Sequence, residues 1–448
     1  MTLIRQLGIS LFVIILFSYS CNNQPMDVIF SEVEAVDIKN FNTVFAEYSG
    51  MDFAKNFELN AVLCSFVGDH KNAIEFATKD AHYSQNPELN FGLNDAQMIL
   101  AKKNYEAILK DPNASDEVKV EAHKILSLLN HSKDLKEVFK EQKMLSAKDF
   151  IVDQSIDYHF LLINEAHYSS QNRAFTHTLL EPLWKKGYRY LALETLGYDD
   201  QILSERGYPI IISGYYTRDA IFGNLVREAL QIGYKLIAYE YSSLNGTLRD
   251  SIQALNIYDK TLRRDTIGKV LVHAGYSHIS EMGDSNYKPM GLQLKKLIGR
   301  DIMTVDQQNM TQMTDNSKMA SYYIYAIDHY TINQPVVFTD ENKQALVDPI
   351  NSFAIDIQVY HPFTTYIKGR PSWLITNNTK LFELPASIKK HNGYLLQVLR
   401  KGDIQEAVPI DQFVIDQETA LVLSKGEYIF RLIDRDGSLK WKGNLKIN

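Results

Sequence analysis

Acidic and imidazole side chains stand at the ends of short apolar runs in the middle of the chain. These runs begin at Phe160, Tyr190, Lys235 and Val270. In open α/β sheets, ligands bind in the crevice outside the carboxyl ends of parallel strands. We therefore expect a single crevice to collect six side chains, Glu165, His167, Glu194, Glu240, His273 and His278.

Glu165 and His167 form the first candidate pair. They are two residues apart on a predicted extended segment, so their side chains point to the same side. A carboxylate beside an imidazole can fix the ring tautomer, and the imidazole can then take a proton from water. The same pair is also half of a metal site, because these ligands suit zinc, manganese and cobalt. Both interpretations stay open at this point.

Glu194 ends a second apolar run. Burying an acid is costly unless it is paired, so Glu194 is either a site residue or the partner of a cation such as Arg189 or Arg218. Glu240 ends a third run in the same way. We favour a site role for Glu194 and treat Glu240 as a weaker candidate.

Two histidines belong to the fourth run. His273 and His278 are five residues apart and would face opposite ways on a continuous strand, but Gly275 allows a turn that brings both into one pocket. Glu281 is a candidate to orient either imidazole ring by a hydrogen bond to the ring nitrogen that faces away from the site. Asp306 ends the next predicted strand and is a more distant candidate.

The elements that must position these residues alternate in type. Helical patterns end at Gly187, Gly233 and Gly299, and glycine is a good helix stop. Predicted strands follow them at 188–194, 234–240 and 301–306. Strand, helix and strand in repetition indicate βαβ units and a parallel sheet.

The flanking regions have other patterns. Residues 68–77 resemble the turn and second helix of a tetratricopeptide unit, in a region rich in helix formers. Near the other end, alternation in 353–359 and 427–433, separated by turn signals, is typical of antiparallel strands. Residues 369–373 could form a lip near the central site, although packing is the simpler role.

The predicted fold class is an α/β core with a mainly parallel sheet, preceded by an α-helical region and followed by a small antiparallel β domain. The chain is predicted to divide into a lipoprotein signal peptide (1–21), an α-helical tetratricopeptide-like region (22–145), an α/β domain (146–340) and a β-rich domain (341–448).

The N-terminal residues resemble a bacterial lipoprotein signal. Arg5 precedes an apolar stretch, 7–17, that is short for a bilayer span, and small residues lead to Cys21. Cys21 would become the lipidated N-terminus and anchor the protein to a membrane; the alternative is an ordinary secretory peptide. Cys64 is then the one remaining cysteine, so no disulfide is expected within the mature chain. The net charge of -7 argues against a nucleic-acid partner.

The chain resembles a superfamily that groups erythromycin-esterase-like hydrolases, Tiki-type metalloproteases and bacterial haem-uptake lipoproteins. The resemblance covers about 150–308. Asn164-Glu165-Ala166-His167 matches a Gly-Glu-x-His signature, except that Asn164 replaces the glycine. A second strand ends in Glu194, and a later one leads to the histidine motif 272–278. The resemblance implies a hydrolytic site of Glu165, His167, Glu194, His273 and His278.

These observations lead to a first expectation and two alternatives. The first is an extracytoplasmic hydrolase of the bacterial cell envelope, acting on an ester or amide in a small-molecule or peptide substrate. If the enzyme depends on a divalent metal, the ligands are Glu165, His167, Glu194 and His278. The alternatives are a lipoprotein that binds haem, with Tyr276 or a histidine as iron ligand, and a non-catalytic scaffold.

Overall fold

The computed structural model describes 28–80, 135–197, 199–241, 246–283, 287–348, 354–376, 378–416 and 419–448, together with Asn351 and parts of 103–126. The predicted signal peptide and Cys21 lie outside the described residues. In the part of the chain that the structure describes, no helix is long and apolar enough to cross a membrane.

The described residues of the first part of the chain form one long strand, a helical hairpin and four shorter elements. The elements are β1 (Val28–Ile38), α1 (Thr43–Ser49), α2 (Phe57–Phe66), α3 (His70–Lys79), α4 (Leu135–Phe139), β2 (Lys143–Ser146) and α5 (Ala147–Gln154). The turn between α2 and α3 contains Gly68 at φ +74°, where a Cβ atom would lie 2.2 Å from the carbonyl oxygen of Gln412. Only glycine fits this turn against the C-terminal region.

The central part alternates strands and helices, as the sequence pattern predicts. Its elements are β3 (Phe160–Glu165), α6 (Ser170–Lys185), β4 (Tyr188–Leu193), α7 (Leu203–Arg206), α8 (Ala220–Ile232), β5 (Lys235–Ala238), α9 (Gly246–Lys260), β6 (Lys269–Gly275), α10 (Met290–Ile298), β7 (Met303–Asp306), α11 (Ser321–His329) and β8 (Val336–Thr339).

The last part is rich in short strands. Its elements are β9 (Ile357–Gln358), β10 (Tyr366–Ile367), β11 (Arg370–Pro371), β12 (Lys380–Glu383), α12 (Ala386–Lys389), β13 (Leu395–Arg400), β14 (Asp411–Val414), β15 (Ala420–Leu423), β16 (Gly426–Ile433) and β17 (Leu439–Ile447).

A six-stranded parallel sheet, in the order β5-β4-β6-β3-β7-β9, forms the centre of the molecule. Alternate residues of its strands point to opposite faces of the sheet and pack in two separate hydrophobic cores. Leu161 and Leu191 pack with α6 and α8 on one face, whereas Leu162 and Ala192 pack with α9 and α10 on the other. The predicted α/β core with a parallel sheet, followed by antiparallel β structure, is confirmed.

A five-stranded antiparallel sheet, in the order β1-β17-β16-β13-β14, forms the C-terminal module. Its first strand corrects one prediction, because 22–145 was expected to be α-helical. β1 pairs with β17 from Val28 opposite Ile447 to Ile38 opposite Leu439. Pairing across the length of the chain leaves no local signature, so the sequence pattern did not reveal it.

The boundary near 340 is also corrected. The alternation in 353–359 was assigned to the antiparallel domain, but β9 adds a parallel edge strand to the central sheet beside β7. A short strand has the same alternation in either kind of sheet, so the pattern alone does not identify its partner. At the other boundary β2 pairs antiparallel with β8, which ties residues on either side of the predicted limit at 145/146.

Candidate active site

The end of β3 holds a buried carboxylate in a fixed position. Arg173, in the first turn of α6, donates from Nε to Oε2 of Glu165 at 2.7 Å and from Nη2 to Oε1 at 2.8 Å. Its Nη1 donates to Asp219 at 2.7 Å, and Asp219 also caps the start of α8. The Arg173 side chain is 0% exposed. A two-point guanidinium–carboxylate contact of this kind fixes orientation as well as charge.

The charge on Glu165 is set by this contact. Burial acts to raise the pKa of Glu165, but the neighbouring Arg173 guanidinium and its hydrogen bonds outweigh burial and hold the pKa well below its usual range. The carboxyl group is therefore ionised at neutral pH. For Asp219 burial prevails over Arg173, and its pKa is raised.

His167 is held between this carboxylate and Gly275. Its Nδ1 lies 3.3 Å from Oε1 of Glu165, and its ring stacks on Tyr216 with centroids 4.5 Å apart. A Cβ atom on Gly275 would lie 2.6 Å from Nε2 of His167 and 2.9 Å from Oε2 of Glu194. The absence of a side chain at Gly275 thus lets an imidazole and a second carboxylate approach the same point.

Glu194, directly after β4, accepts a hydrogen bond from the Gly275 amide. Arg249 of α9 donates from Nη2 to its Oε1 at 3.0 Å. Burial acts to raise the pKa of Glu194, but His278, His167 and Arg249 together lower it. Arg189 and Arg218, named from the sequence as alternative partners of this acid, do not bind it; Arg249 does.

Arg249 also connects the acid at the end of β5 to the site. It donates to both carboxylate oxygens of Glu240, at 2.9 and 2.7 Å, and its Nη1 lies 3.0 Å from Nε2 of His278. Unlike Arg173, its side chain is 22% exposed. One guanidinium therefore joins Glu194, Glu240 and His278 at the open side of the site.

His278 has a carboxylate of its own. Its Nδ1 lies 2.9 Å from Oδ2 of Asp250, which also accepts hydrogen bonds from the hydroxyl of Tyr287 and the amide of Met290. Burial acts to lower the pKa of His278, but the Asp250 hydrogen bond and the charge of Glu194 outweigh burial and raise the pKa. The site thus contains two carboxylate–imidazole pairs, Glu165–His167 and Asp250–His278, on either side of Glu194.

His273 lies behind these residues. Its side chain is 1% exposed, and its Nε2 stands 3.6 Å from Oε2 of Glu165 without forming a hydrogen bond to any described residue. Burial lowers its pKa, so the ring is neutral at neutral pH. By contrast the side chains of His167 and His278 are each 17% exposed.

Two residues beside the site have a left-handed backbone. Thr195, after Glu194, has φ +56°, and Tyr276, after Gly275, has φ +43°. Residues other than glycine seldom adopt these angles, and a β-branched threonine does so at particular cost. Both lie just past strand ends, where the turn directs neighbouring side chains into the crevice. Such strain clusters at functional sites.

The structure brings all five predicted catalytic residues, and Glu240, to one end of the parallel sheet. Two weaker candidates bind other partners. Asp306 accepts a hydrogen bond from Asn164 at 2.8 Å, and Glu281 binds Lys295 at 2.6 Å and Thr304 at 2.9 Å. Glu281 was expected to orient a histidine, and the structure gives that position to Asp250 instead.

Sequence reasoning missed the two arginines and two of the acids, Asp219 and Asp250. A signal was present, because Arg173 and Arg249 lie in the first turns of the helices that follow β3 and β5, and Asp250 comes directly after Arg249. In a βαβ unit this turn stands above the carboxyl end of the strand it follows. Charged residues there were available candidates for partners of Glu165, Glu194 and His278.

The described residues contain no group of three or more His, Cys, Asp or Glu side chains arranged to hold a metal ion. Arginine side chains contact both Glu165 and Glu194. The hydroxyl of Tyr276, the alternative haem ligand, accepts a hydrogen bond from the His167 amide at 3.1 Å. The metal and haem assignments stay predictions.

Neither the family models nor the curated proteins that were compared match this chain. Among solved structures, the chain is similar to RRSP, a MARTX toxin effector domain from Vibrio vulnificus CMCP6, with 15% identity, a TM-score of 0.27, and coverage of 64% of this chain and 68% of that one. Two structures described as bacterial protein toxins give 17% and 12% identity, TM-scores of 0.27 and 0.26, and coverage of 61% and 60% of this chain and 66% of each of theirs. At these TM-scores the likeness carries no argument about function.

Proposed function

We propose that this protein is a hydrolase that uses two carboxylate–imidazole pairs to split an ester or amide bond. The observation that carries the proposal is the position of His167. Its Nδ1 faces an ionised Glu165, and its Nε2 faces the point beside Gly275 where Glu194 also ends. An imidazole with one nitrogen anchored and the other directed at a crevice is suited to general-base catalysis.

In the proposed reaction His167 activates a water molecule. Glu165 accepts the Nδ1 proton of the ring, which leaves the Nε2 lone pair as the proton acceptor. The water oxygen attacks the carbonyl carbon of the substrate while its proton passes to Nε2. Glu165 is held by Arg173 at 2.7 and 2.8 Å, so it orients the ring and remains ionised throughout.

The second pair completes the reaction on the other side of Glu194. In the structure Nε2 of His278 accepts a hydrogen bond from Nη1 of Arg249. When Arg249 turns to the substrate oxygen, His278 takes up a proton from solvent on Nε2 and passes it to the leaving alcohol or amine as the bond to the carbonyl carbon breaks. Asp250 favours the protonated form, because it raises the pKa of His278. Arg249 is the partly exposed cation of the site and is placed to stabilise negative charge on the carbonyl oxygen.

The resemblance to the erythromycin-esterase-like and Tiki-type superfamily agrees with a hydrolytic site, and lipidation at Cys21 would place it in the bacterial cell envelope. Both remain part of the proposal. A divalent metal would supply a more acidic water. No specific contact favours the haem-binding or scaffold alternatives over hydrolysis.

The proposal is tested by assaying the full-length protein on chromogenic esters, aryl amides and a peptide library read by mass spectrometry. We expect His167→Gln to lower turnover by about a hundredfold or more, which is the usual contribution of a general base. His329→Ala is the control, because this histidine is exposed and its ring contacts only Tyr325 among the described residues, by stacking and by a hydrogen bond to the Tyr325 carbonyl.

Equal turnover in His167→Gln and His329→Ala would contradict the assignment of the base. Absence of hydrolysis by the wild-type protein across all three substrate panels would contradict the proposed activity itself. A Soret shift on adding haemin that Tyr276→Phe abolishes would favour the haem alternative in its place.

A further inference from the structure

A small cavity lies beside the loop that follows His167, outside the contacts described above. It is lined by His70 of α3, by 168–171 at the start of α6, by Trp373, and by polar residues of two further loops. We call it the α6 cavity. None of its lining residues carries a step of the proposed reaction.

The first feature of the α6 cavity is the N-terminus of a 16-residue helix. The Ser169 side chain accepts from the Asn172 amide, whereas the amides of Ser170 and Gln171 have no acceptor among the described residues. The first N–H groups of a helix have no partner within it, and the helix dipole makes this end positive. An anion is the ligand that such an end prefers.

The second feature is independent of the helix. His70 is 7% exposed, and its ring nitrogens form no hydrogen bond within the described part of the chain. Its ring meets the edge of Trp373 with centroids 5.0 Å apart. The indole Nε1 of Trp373 is also buried and has no acceptor among described residues. Leaving a buried donor unpaired is unfavourable, so the indole N–H calls for an acceptor from outside the chain.

The charges around the α6 cavity favour the same kind of ligand. Burial, together with the nearby cations Arg370 and Arg173, lowers the pKa of His70 to about 3. The ring is therefore neutral and surrounded by positive potential. The acids in this region are already engaged: Asp219 binds Arg173 and Ser170, and Asp411 binds Arg370. Asp69, next to His70, binds Tyr48 and Asn72.

We propose that the α6 cavity binds an oxyanion group of the substrate, a carboxylate or a phosphate, through the amides of Ser170 and Gln171 and the indole of Trp373. This inference rests on the proposed hydrolase function for its link to a substrate. Ser170 is three residues from His167, and a chain extends at most about 3.3–3.6 Å per residue. The Ser170 backbone, which would bind the oxyanion, therefore lies within roughly 10 Å of the His167 backbone. The substrate is then an acidic one, such as a peptide with a carboxylate near the bond that is split.

The test measures binding of simple anions to the full-length protein by ligand-detected NMR, with acetate and inorganic phosphate as probes at constant chloride. Ser170→Pro removes one amide donor, and proline is well tolerated at the first position of a helix. Ser170→Ala is its matched control, because it keeps the amide and loses only the hydroxyl that contacts Asp219. Trp373→Phe removes the indole N–H and keeps an aromatic ring.

We expect Ser170→Pro to bind the probe about tenfold more weakly than Ser170→Ala, and Trp373→Phe about tenfold more weakly than wild type, as the loss of one hydrogen bond to an anion predicts. Circular dichroism confirms that each variant is folded before it is compared. Stronger binding of acetate indicates a carboxylate substrate, and stronger binding of phosphate indicates a phosphorylated one. No saturable binding of either probe, or equal binding by Ser170→Pro and Ser170→Ala, would overturn the proposal.

The two proposals fail separately. Anion binding that Ser170→Pro weakens supports the α6 cavity as a site even if no hydrolysis is found. His167-dependent hydrolysis without any anion binding overturns the α6 cavity alone. If both hold, Ser170→Pro raises KM for acidic peptides relative to Ser170→Ala, with the two variants equal on an uncharged ester.

Discussion

The two carboxylate–imidazole pairs differ in how their surroundings hold them. Beside Glu165 and His167, the cation is Arg173, which is 0% exposed and bound on both sides by acids. Beside Asp250 and His278, the cation is Arg249, which is 22% exposed and divided among several partners. The first half of the site has one fixed geometry, whereas the second half has a cation that a substrate can reach.

This difference suits the proposed division of work. A general base needs a fixed ring, and an enclosed arginine contact supplies one through Glu165. Stabilising a substrate oxygen requires a donor that can leave some of its protein partners, and a partly exposed arginine meets this need. The following predictions test the contrast between the two halves.

The largest effect is expected from Arg173→Met. This change leaves Glu165 buried without its main partner, and breaking a buried ion pair in this way costs about 3–5 kcal/mol of unfolding free energy. Arg249→Met is the comparison for the open half and should cost clearly less, since water reaches that cation. Urea denaturation of both variants provides the measurement. Equal losses would mean that the two halves are not held differently.

A smaller loss is expected from Gly275→Ala, at the point where the halves meet. The new Cβ atom would stand 2.1 Å from Cε1 of His167, so the ring or the strand must shift. Overpacking of this kind costs about 1–3 kcal/mol. Gly50→Ala is a suitable control, because its Cβ would have no neighbour nearer than 3.5 Å. Turnover should fall in Gly275→Ala and not in Gly50→Ala.

The two halves should also respond to pH in opposite directions. The pKa of Glu165 is lowered from its ordinary 4.5, so its contribution to stability is complete above that pH and is lost as pH falls through the folded-state pKa. The pKa of His278 is raised from its ordinary 6.5, so its contribution is complete below that pH and is lost as pH rises through the folded-state pKa.

The measurement is the unfolding free energy as a function of pH. Asp250→Asn should remove most of the decline on the alkaline side, because Asp250 is the main cause of the raised His278 pKa. It should leave the decline in acid in place, since Glu165 is not altered. If Asp250→Asn instead removed the loss of unfolding free energy at acid pH, the two pH windows would have been assigned to the wrong halves.

The sequence determined the positions where strands end. Apolar runs of three or four residues between helical patterns are typical of buried strands, so the ends of β3, β4 and β6 and their polar residues could be predicted. The gathering of Glu165, His167, Glu194, His273 and His278 at one edge follows from parallel pairing, which βαβ alternation implies.

Tertiary structure decided which residue partners which. Arg173, Arg249 and Asp250 contact the site residues across gaps of 8 to 55 positions in the chain, and Asp219 in turn binds Arg173. A place near the start of a helix makes a charged residue a candidate, but it does not specify the partner. The pairing of β1 with β17 and of β9 with β7 was likewise undetermined, because alternation defines a strand's faces and not its neighbours. Local composition thus set the elements and their ends, whereas charge pairing and strand order depended on contacts that exist only once the chain is folded.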